Sequence, residues 1–335
     1  MIEIKWTIVA AAALVIAFLT MGVGNKVPMP TGVEPVSPNL TNLSSQLEQG
    51  VRVFRLSAEP VQQEIAPGVT ITAWGYNGST PGPTIISRAG QRVRIVVTNN
   101  LPQPTSVHWH GIVVPNAMDG VPGVTQDPIA PGDSFTYEFT PARAGTFAYH
   151  SHYNVAVQEN MGLVGIFIVL PTSGAGAVDR DYALLLQEWS VPAGSTAPNP
   201  MSDSFNHFTI NGVAYPLTQA LEVTLGQRVR IRLLDFSMQS HPMHLHGQDF
   251  QIESRGGPPL PVSARWWDNT VNVAPGQITN LVFKAENLGD WVFHCHIPHH
   301  TTNGMQMKEM DAGGPPMELP DLPLGGMLTV LQVKE

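Results

Sequence analysis

The chain has 335 residues, of which 43% are hydrophobic, and this size predicts about two domains with ordinary packed cores. Only 13% of the residues are charged and the formal net charge is −9, so the composition argues against nucleic acid as a partner. The 31 Gly and 30 Pro residues favour many short strands joined by turns over a helical fold.

The N-terminal segment is an apolar run from Trp6 to Gly24. A run of this length at the start of a chain predicts a helical signal peptide or an uncleaved signal anchor over residues 1–24. Either form sends the rest of the chain out of the cytoplasm, to the periplasm or the cell exterior, and an anchor would hold it at a membrane. Residues 25–50 are rich in Pro, Ser and Asn and predict a linker.

From Val51 onward, short runs of alternating apolar and polar residues predict β-strands. In the first half the predicted strands are residues 51–56, 69–74, 93–98, 134–139 and 165–170. In the second half they are residues 182–187, 221–225, 229–234, 278–283 and 327–333. A Pro/Gly/Ser-containing segment at 171–176 predicts a boundary, which gives domains at 51–172 and 178–335.

The two halves repeat each other in four places and in the same order. The matching segments are 89–95 with 225–231, 108–111 with 244–247, 130–132 with 274–276, and 144–152 with 288–296. Four ordered matches predict an all-β chain built of two tandem copies of one β-sandwich domain.

Paired histidines recur at equivalent places in the two halves. The pairs, each with one residue between its members, are His108/His110, His150/His152, His244/His246 and His294/His296. Because residues i and i+2 of a strand point to the same face, each pair presents two imidazoles side by side. So many imidazoles predict several bound metal ions, and imidazole suits copper, zinc or iron.

Cys295 is the only cysteine, which excludes an intramolecular disulfide framework. Its counterpart in the first half is Ser151, so only the second half can build a thiolate site. Cys295 lies between His294 and His296, and strand alternation points the thiol into its own sandwich and the imidazoles out of it. An electron that reaches a thiolate-bound metal would then have a short covalent route to the histidines.

Two further histidines complete the set around this cysteine. His241 precedes the pair at 244 and 246 by three residues, and His300 follows Cys295 after four intervening residues. Two imidazoles, a thiolate and a weak axial methionine are the ligands of a blue-copper electron-transfer site. Met305 is the nearest candidate for the axial ligand, and Met327, at the start of the last predicted strand, is the rival.

These motifs resemble the multicopper oxidases, and among them the two-domain laccase-like group, over residues 51–333. The segments that carry the resemblance are 108–111, 149–152, 241–247 and 294–305. The resemblance implies two cupredoxin domains of Greek-key topology and four coppers per subunit. It also implies oxidation of phenols or similar one-electron donors at a type 1 copper, with reduction of dioxygen to water at a cluster of one type 2 and two type 3 coppers.

The resemblance assigns a role to each matching residue. Type 1 copper would be held by His241, Cys295, His300 and Met305, with Met327 as the alternative axial ligand. Type 2 copper would be held by His108 and His244, and the type 3 pair by His110, His150, His152, His246, His294 and His296. Asp119 resembles the family's carboxylate that helps to deliver protons to oxygen; it can equally be a turn aspartate before Gly120.

The resemblance also implies an assembly. In two-domain members the copper cluster lies between the first domain of one subunit and the second domain of the next. Head-to-tail contacts of this kind close a ring, here a homotrimer.

Three alternative functions stay open at this stage. Met307, Met310 and Met317 lie in an insert at 306–326 and favour a metallo-oxidase of Cu(I) or other metal ions. A copper nitrite reductase also has two cupredoxin domains, but Ser151 and the four histidine pairs argue against it. A copper-storage or electron-carrier protein would leave the paired histidines without a task.

Overall fold

The computed structural model describes residues 33–173, 176–303 and 324–335, and strands dominate these residues. The strands of the first half are β1 (Ser45–Glu48), β2 (Val51–Ala66), β3 (Val69–Tyr76), β4 (Gly82–Arg88), β5 (Val93–Asn99), β6 (His108–His110), β7 (Ser134–Phe139), β8 (Gly145–His150) and β9 (Val164–Leu170). Those of the second half are β10 (Arg180–Trp189), β11 (His207–Ile210), β12 (Leu221–Thr224), β13 (Arg228–Asp235), β14 (His241–Leu245), β15 (Phe250–Arg255), β16 (Trp267–Asp268), β17 (Thr270–Val273), β18 (Ile278–Lys284), β19 (Gly289–Cys295) and β20 (Leu328–Lys334). The described helical elements are α1 (Val155–Gln158) and the 3₁₀ turns Asn116–Met118, Val262–Ala264 and Pro298–Thr301.

Each half folds into two sheets that pack face to face. The first half has the sheets β1-β2-β5-β7, with β3 on β2, and β4-β9-β8-β6. The second half has β11-β10-β13-β18-β15-β16 and β12-β20-β19-β14-β17. The parallel pair β2–β5 corresponds to the parallel pair β10–β13. The predicted all-β fold of two tandem sandwiches is confirmed.

Strand alternation builds the core of each sandwich. In β5, Val93, Ile95 and Val97 are fully buried, while the residues between them are half-buried. Burying an aliphatic side chain of this kind contributes about 1.5–3 kcal/mol. Trp109, between the two histidines of β6, is also fully buried and packs edge-on against Tyr137 at a centroid distance of 5.1 Å. The core therefore fixes the strand that carries the first histidine pair.

A third apolar cluster joins the two sandwiches of the chain. Ala148 and Ile166 of the first half are fully buried in one cluster with Leu185 and Leu234 of the second. The strands on this side of the first half are therefore buried on both faces, which removes their alternation.

The N-terminal predictions have two outcomes. Residues 1–24, predicted as a signal peptide or anchor, lie outside the described residues, and no described helix is long and apolar enough to cross a membrane. Within the predicted linker, residues 33–50 differ from the expectation. β1 pairs with β2, and Val36 forms a parallel bridge to Tyr182. The physical reason is that the backbone of this segment satisfies its polar groups on strands of both sandwiches.

Asp181 anchors a buried ion cluster beside the contact between the sandwiches. Its carboxylate accepts hydrogen bonds from Arg232 Nε at 2.6 Å and Nη2 at 2.7 Å, and from Arg230 Nη1 at 3.0 Å. Arg232 Nη1 also donates to Thr146 of the first half at 2.6 Å. Burial raises the pKa of Asp181, but the two guanidinium groups outweigh it and hold the pKa below its usual value.

Replacing Asp181 by Asn should lower the free energy of unfolding by about 3–5 kcal/mol, because Arg232 would stay buried without its counter-charge. Denaturant unfolding measures the change. The control is Glu222→Gln, which removes an exposed partner of Lys334 and should have little effect. Since the folded pKa of Asp181 is depressed, its contribution is present above the unfolded value of about 3.9 and is lost as the pH falls through the folded value. The wild type should therefore lose stability below pH 4 more steeply than the variant; equal pH profiles would contradict this role.

Candidate metal centres

The same strand register brings the paired histidines together in both halves. His108 of β6 lies directly opposite His150 of β8. His244 of β14 lies directly opposite His294 of β19. Each half therefore collects four imidazoles at one end of one sheet.

The first-half histidine set consists of His108, His110, His150 and His152. In five of the six pairs, the ring centroids lie 5.4–6.3 Å apart. One nitrogen from each of His108, His110 and His150 lies within 4.8 Å of the others. His150 Nδ1 donates to the carbonyl of Ser151 at 3.0 Å, and its Nε2 is buried without a hydrogen-bond partner. A buried, unpaired imidazole nitrogen facing other imidazoles fits a metal ligand.

The second-half histidine set consists of His244, His246, His294 and His296. Ring centroids lie 4.9–5.9 Å apart, and Nε2 of His246 is 3.1 Å from Nε2 of His294. His244 Nδ1 donates to the carbonyl of Asn269 at 2.8 Å, and His294 Nδ1 to the carbonyl of Cys295 at 2.8 Å. These carbonyls fix the tautomer and leave Nε2 free for a metal.

The two sets are separate within the chain. Among the described residues, ring contacts join histidines only within a set and not across the two sets. The ring that packs on the first-half set from the second half of the same chain is Phe236, 5.2 Å from His110 and 5.3 Å from His150. In the described part of the chain, the two histidine sets therefore lie apart from each other.

A third donor set, the thiolate set, lies inside the second sandwich and consists of His241, Cys295 and His300. His241, Cys295 and His300 are all buried, and their ligating atoms form a triangle. The two Nδ1 atoms are 3.2 Å apart, and Cys295 Sγ lies 3.7 Å from His241 Nδ1 and 3.4 Å from His300 Nδ1. The centre of a triangle with these edges is about 2.0 Å from each corner, which suits metal–nitrogen and metal–sulfur bonds of about 2.0–2.3 Å.

Burial keeps these three side chains uncharged when no metal is bound. It raises the pKa of Cys295 to about 12 and lowers that of His241 to about 3 and that of His300 to about 4. The histidines are therefore ready as neutral ligands, and metal binding would displace the thiol proton.

Three polar residues that the sequence did not predict hold His241. Its Nε2 donates to Ser237 Oγ at 2.8 Å, and Ser237 donates to Asp235 at 2.5 Å. Glu188 Oε2 lies 3.9 Å from the same nitrogen. Burial raises the pKa of Glu188 to about 7 and that of Asp235 to about 8. An acidic residue, Glu188, in a strand that is buried along almost its whole length is the signal that could have found this group.

The backbone places Met327 beside the thiolate set. Cys295 N donates to the Met327 carbonyl at 3.0 Å, and Met327 N donates to the His300 carbonyl at 2.7 Å. The Met327 side chain is fully buried in the core cluster that contains Cys295. Met305, the first candidate for the axial ligand, lies outside the described residues.

A neutral hydrogen-bond cluster occupies the equivalent place in the first half. Gln158 Oε1 accepts from Ser151 Oγ at 2.6 Å and from Thr105 Oγ1 at 2.7 Å, and its Nε2 donates to the Pro104 carbonyl at 2.8 Å. Thr105 precedes His108 by three residues, as His241 precedes His244. The sequence predicted only that Ser151 is the counterpart of Cys295. It missed Thr105 and Gln158, although the three-residue spacing could have found Thr105.

Asp119 lies against the first-half set. Its carbonyl accepts a hydrogen bond from His108 Nδ1 at 2.8 Å, and its carboxylate Oδ1 lies 3.5 Å from the same nitrogen. The side chain is 34% exposed. Burial lowers the pKa of His108 despite these two contacts.

Known proteins are similar to this chain over most of its length. Two family models, both described as multicopper oxidase, match residues 58–174 and 189–312. The solved blue copper oxidase from Nitrosomonas europaea has a TM-score of 0.74 and 33% identity, over 84% of this chain and 86% of that chain. The multicopper oxidase mgLAC has a TM-score of 0.72 and 34% identity, with the same coverage.

Curated relatives are longer than this chain. Laccase-2 of Botryotinia fuckeliana is 43% identical over 146 residues, which are 42% of this chain and 24% of that protein. A probable nitrite reductase-hydroxylamine oxidoreductase fusion protein of Kuenenia stuttgartiensis is 30% identical over 282 residues, which are 77% of this chain and 31% of that protein. The chain thus spans less than a third of the length of either relative.

Proposed function

The chain belongs to the multicopper oxidase family, as its motifs predicted, and on this premise we propose that it is a laccase-like oxidase. It takes single electrons from phenols or similar donors and uses them to reduce dioxygen to water. The observation that carries the proposal is the buried triangle of His241, Cys295 and His300, whose cysteine lies between two outward histidines.

The proposed ligands follow the three donor sets. Type 1 copper is held by His241, Cys295 and His300, type 2 copper by His108 and His244, and the type 3 pair by His110, His150, His152, His246, His294 and His296. Four coppers per subunit occupy these sets. Copper bound in these sets would accept single electrons from the donor and allow dioxygen to be reduced to water.

Backbone carbonyls orient these histidine ligands, and a carboxylate lies beside them. Backbone carbonyls hold the Nδ1 atoms of His150, His244 and His294, which leaves each Nε2 available to a metal. Asp119 is partly exposed, and its carboxylate Oδ1 lies 3.5 Å from His108 Nδ1, so it is placed to help deliver protons to the site of oxygen reduction.

We further propose that the histidine sets of neighbouring subunits meet in a head-to-tail homotrimer. The separation of the two sets within one chain supports this assembly. Exposed apolar side chains support it as well. Val113 and Val124, which follow β6 in the chain, are 83% and 78% exposed. Trp267 is 64% exposed and lies two residues before Asn269, whose carbonyl holds His244. Closed head-to-tail contacts then complete each cluster.

We propose that residues 51–172 form the first domain and that residues 178–335 form the domain that holds type 1 copper. Residues 1–24 act as a signal peptide or membrane anchor, which places the protein outside the cytoplasm.

Oxidation of Cu(I) or another metal ion is the second candidate. Met201 and Met238 are 72% and 53% exposed, and Met238 lies in the loop that leads to His241. Asn160 Nδ2 donates hydrogen bonds to Met238 Sδ at 3.4 Å and to the carbonyl of Pro200 at 2.9 Å. Because Pro200 directly precedes Met201, this one side chain connects the two segments that carry the exposed methionines. Thioethers are soft ligands that select Cu(I).

Purified protein should contain four coppers per chain, have a blue thiolate absorption band and consume oxygen with a phenolic donor. Cys295→Ser should abolish the blue band and lower oxygen uptake by at least about 1000-fold, since the electron entry site is lost. Ser204→Ala, at an exposed loop position, is the control. Absorption spectroscopy, copper analysis and an oxygen electrode measure these outcomes. A copper-loaded wild type that reduces nitrite and not oxygen would contradict the oxidase proposal, as would a fully active Cys295→Ser variant.

Complementation between subunits tests the shared clusters. His150→Ala inactivates the first-half set, and His244→Ala inactivates the second-half set. Each variant alone should be inactive, but co-assembled chains should recover about a quarter of the wild-type rate, because random rings pair intact sets at that frequency. Two first-half variants, His108→Ala and His150→Ala, form the matched control and should not complement. A mixture that stays inactive although mixed rings form would contradict the shared site.

The axial ligand can be assigned with two variants. We propose Met327 as the axial ligand, because its backbone forms hydrogen bonds with the backbones of both Cys295 and His300. Met327→Leu should keep the copper but raise the type 1 reduction potential, because the weak thioether contact is lost. Potentiometric titration of the blue band measures the change, and Ser204→Ala, at an exposed loop position, is the control. An unchanged potential in Met327→Leu, with a shift in Met305→Leu, would assign the axial position to Met305.

A further inference from the structure

Glu159 is a carboxylate on the first-half histidine set that the sequence did not single out. Its Oε2 lies 3.3 Å from His150 Nδ1. The Glu159 side chain is 22% exposed and that of His150 is 8% exposed, so solvent screens the contact only in part.

The local fold holds Glu159 in this position. It directly follows α1, and its backbone N–H donates to the Val155 carbonyl at 3.0 Å. The preceding Gln158 is fully buried in the cluster with Thr105 and Ser151. The buried anchor therefore fixes the neighbouring carboxylate against the histidine.

The orientation of His150 does not require Glu159. His150 Nδ1 donates to the carbonyl of the next residue, Ser151, at 3.0 Å, and His294 Nδ1 donates in the same way to Cys295 at 2.8 Å. Both halves thus fix the imidazole tautomer with an equivalent carbonyl. What distinguishes His150 is the additional negative charge beside the same nitrogen.

The histidine sets of the two halves differ in the number of carboxylates beside them. In the described part of the chain, a carboxylate lies within 4.0 Å of a ring nitrogen of His108 and of His150, but of no histidine in the second-half set. The second-half set has Cys295 next to two of its members, and a metal-bound thiolate is anionic. The first half has neutral Ser151 in that place. Glu159 supplies a negative charge to the half that lacks the thiolate.

We propose that Glu159 is a positioning residue that acts through His150 and raises the affinity of the first-half set for copper. Its carboxylate polarises the Nδ1–H bond of His150, which makes Nε2 a stronger donor to the metal. This inference rests on the proposed function. Outer groups of this kind are typically worth about 10–100-fold in metal affinity.

Glu159→Gln is the diagnostic variant, because it keeps the size of the side chain and the carbonyl contact of His150 but removes the charge. Copper-free protein is titrated with copper against a competing chelator, and copper content and the blue band are followed together. The variant should bind the coppers outside the type 1 set about 10–100-fold more weakly, while the blue band appears at the wild-type copper concentration. Glu222→Gln, at an exposed ion pair, is the matched control. Equal affinities of Glu159→Gln and wild type would overturn the inference.

A second variant separates charge from fold. Glu159→Asp keeps the carboxylate on a shorter side chain and should bind copper more tightly than Glu159→Gln at similar thermal stability of the copper-free proteins. Affinities of the Asp variant no higher than those of the Gln variant would contradict a role for charge. If wild type itself binds no more than one copper, the proposed function fails; if wild type binds four and Glu159→Gln matches it, only the role of Glu159 fails.

Discussion

The two-residue alternation of strand β19 is the constraint on which the proposed site depends. Successive side chains of a strand point to opposite faces, so Cys295 enters the core of its sandwich while His294 and His296 point away from it. One strand end therefore serves two donor sets, and the connection between them is a few covalent bonds long. A shift of the strand register by one residue would exchange the two faces and destroy both sets.

The protein prepares these sets before any metal arrives. The thiolate set is sealed in the core, where burial keeps its imidazoles neutral and its thiol protonated. The histidine sets lie at the sheet ends, where carbonyls aim their ring nitrogens. The first half keeps the same strand pairing but fills the place of the thiolate site with hydrogen bonds among Thr105, Ser151 and Gln158. A repeated fold thus carries one buried thiolate set and two histidine sets, one in each half.

The sequence predicted those features that depend on local periodicity and on the repeat. Ser134–Phe139 and the alternation of Val93–Asn99 appear as expected because one face of each strand is buried and the other is not. Strand β8 was missed because Ala148 packs against the second sandwich, so both faces are buried and the alternation disappears. Strand β1 was missed because its residues are mostly polar and exposed and show no alternation, although it forms a hairpin with β2 through Gln49 and Gly50, both at positive φ. The contacts of Glu159 with His150 and of Ser237 with His241 were also missed, since neither Glu159 nor Ser237 belongs to a repeated motif.

The most direct measurement of the shared-cluster proposal is anomalous X-ray scattering at the copper absorption edge from crystals of the copper-loaded protein. We expect one copper peak inside the triangle of His241, Cys295 and His300 of every chain. We expect three more peaks between the first-half set of one subunit and the second-half set of its neighbour. Copper peaks bound by only one set, with the sets of neighbouring subunits far apart, would contradict an oxygen-reducing centre shared between chains.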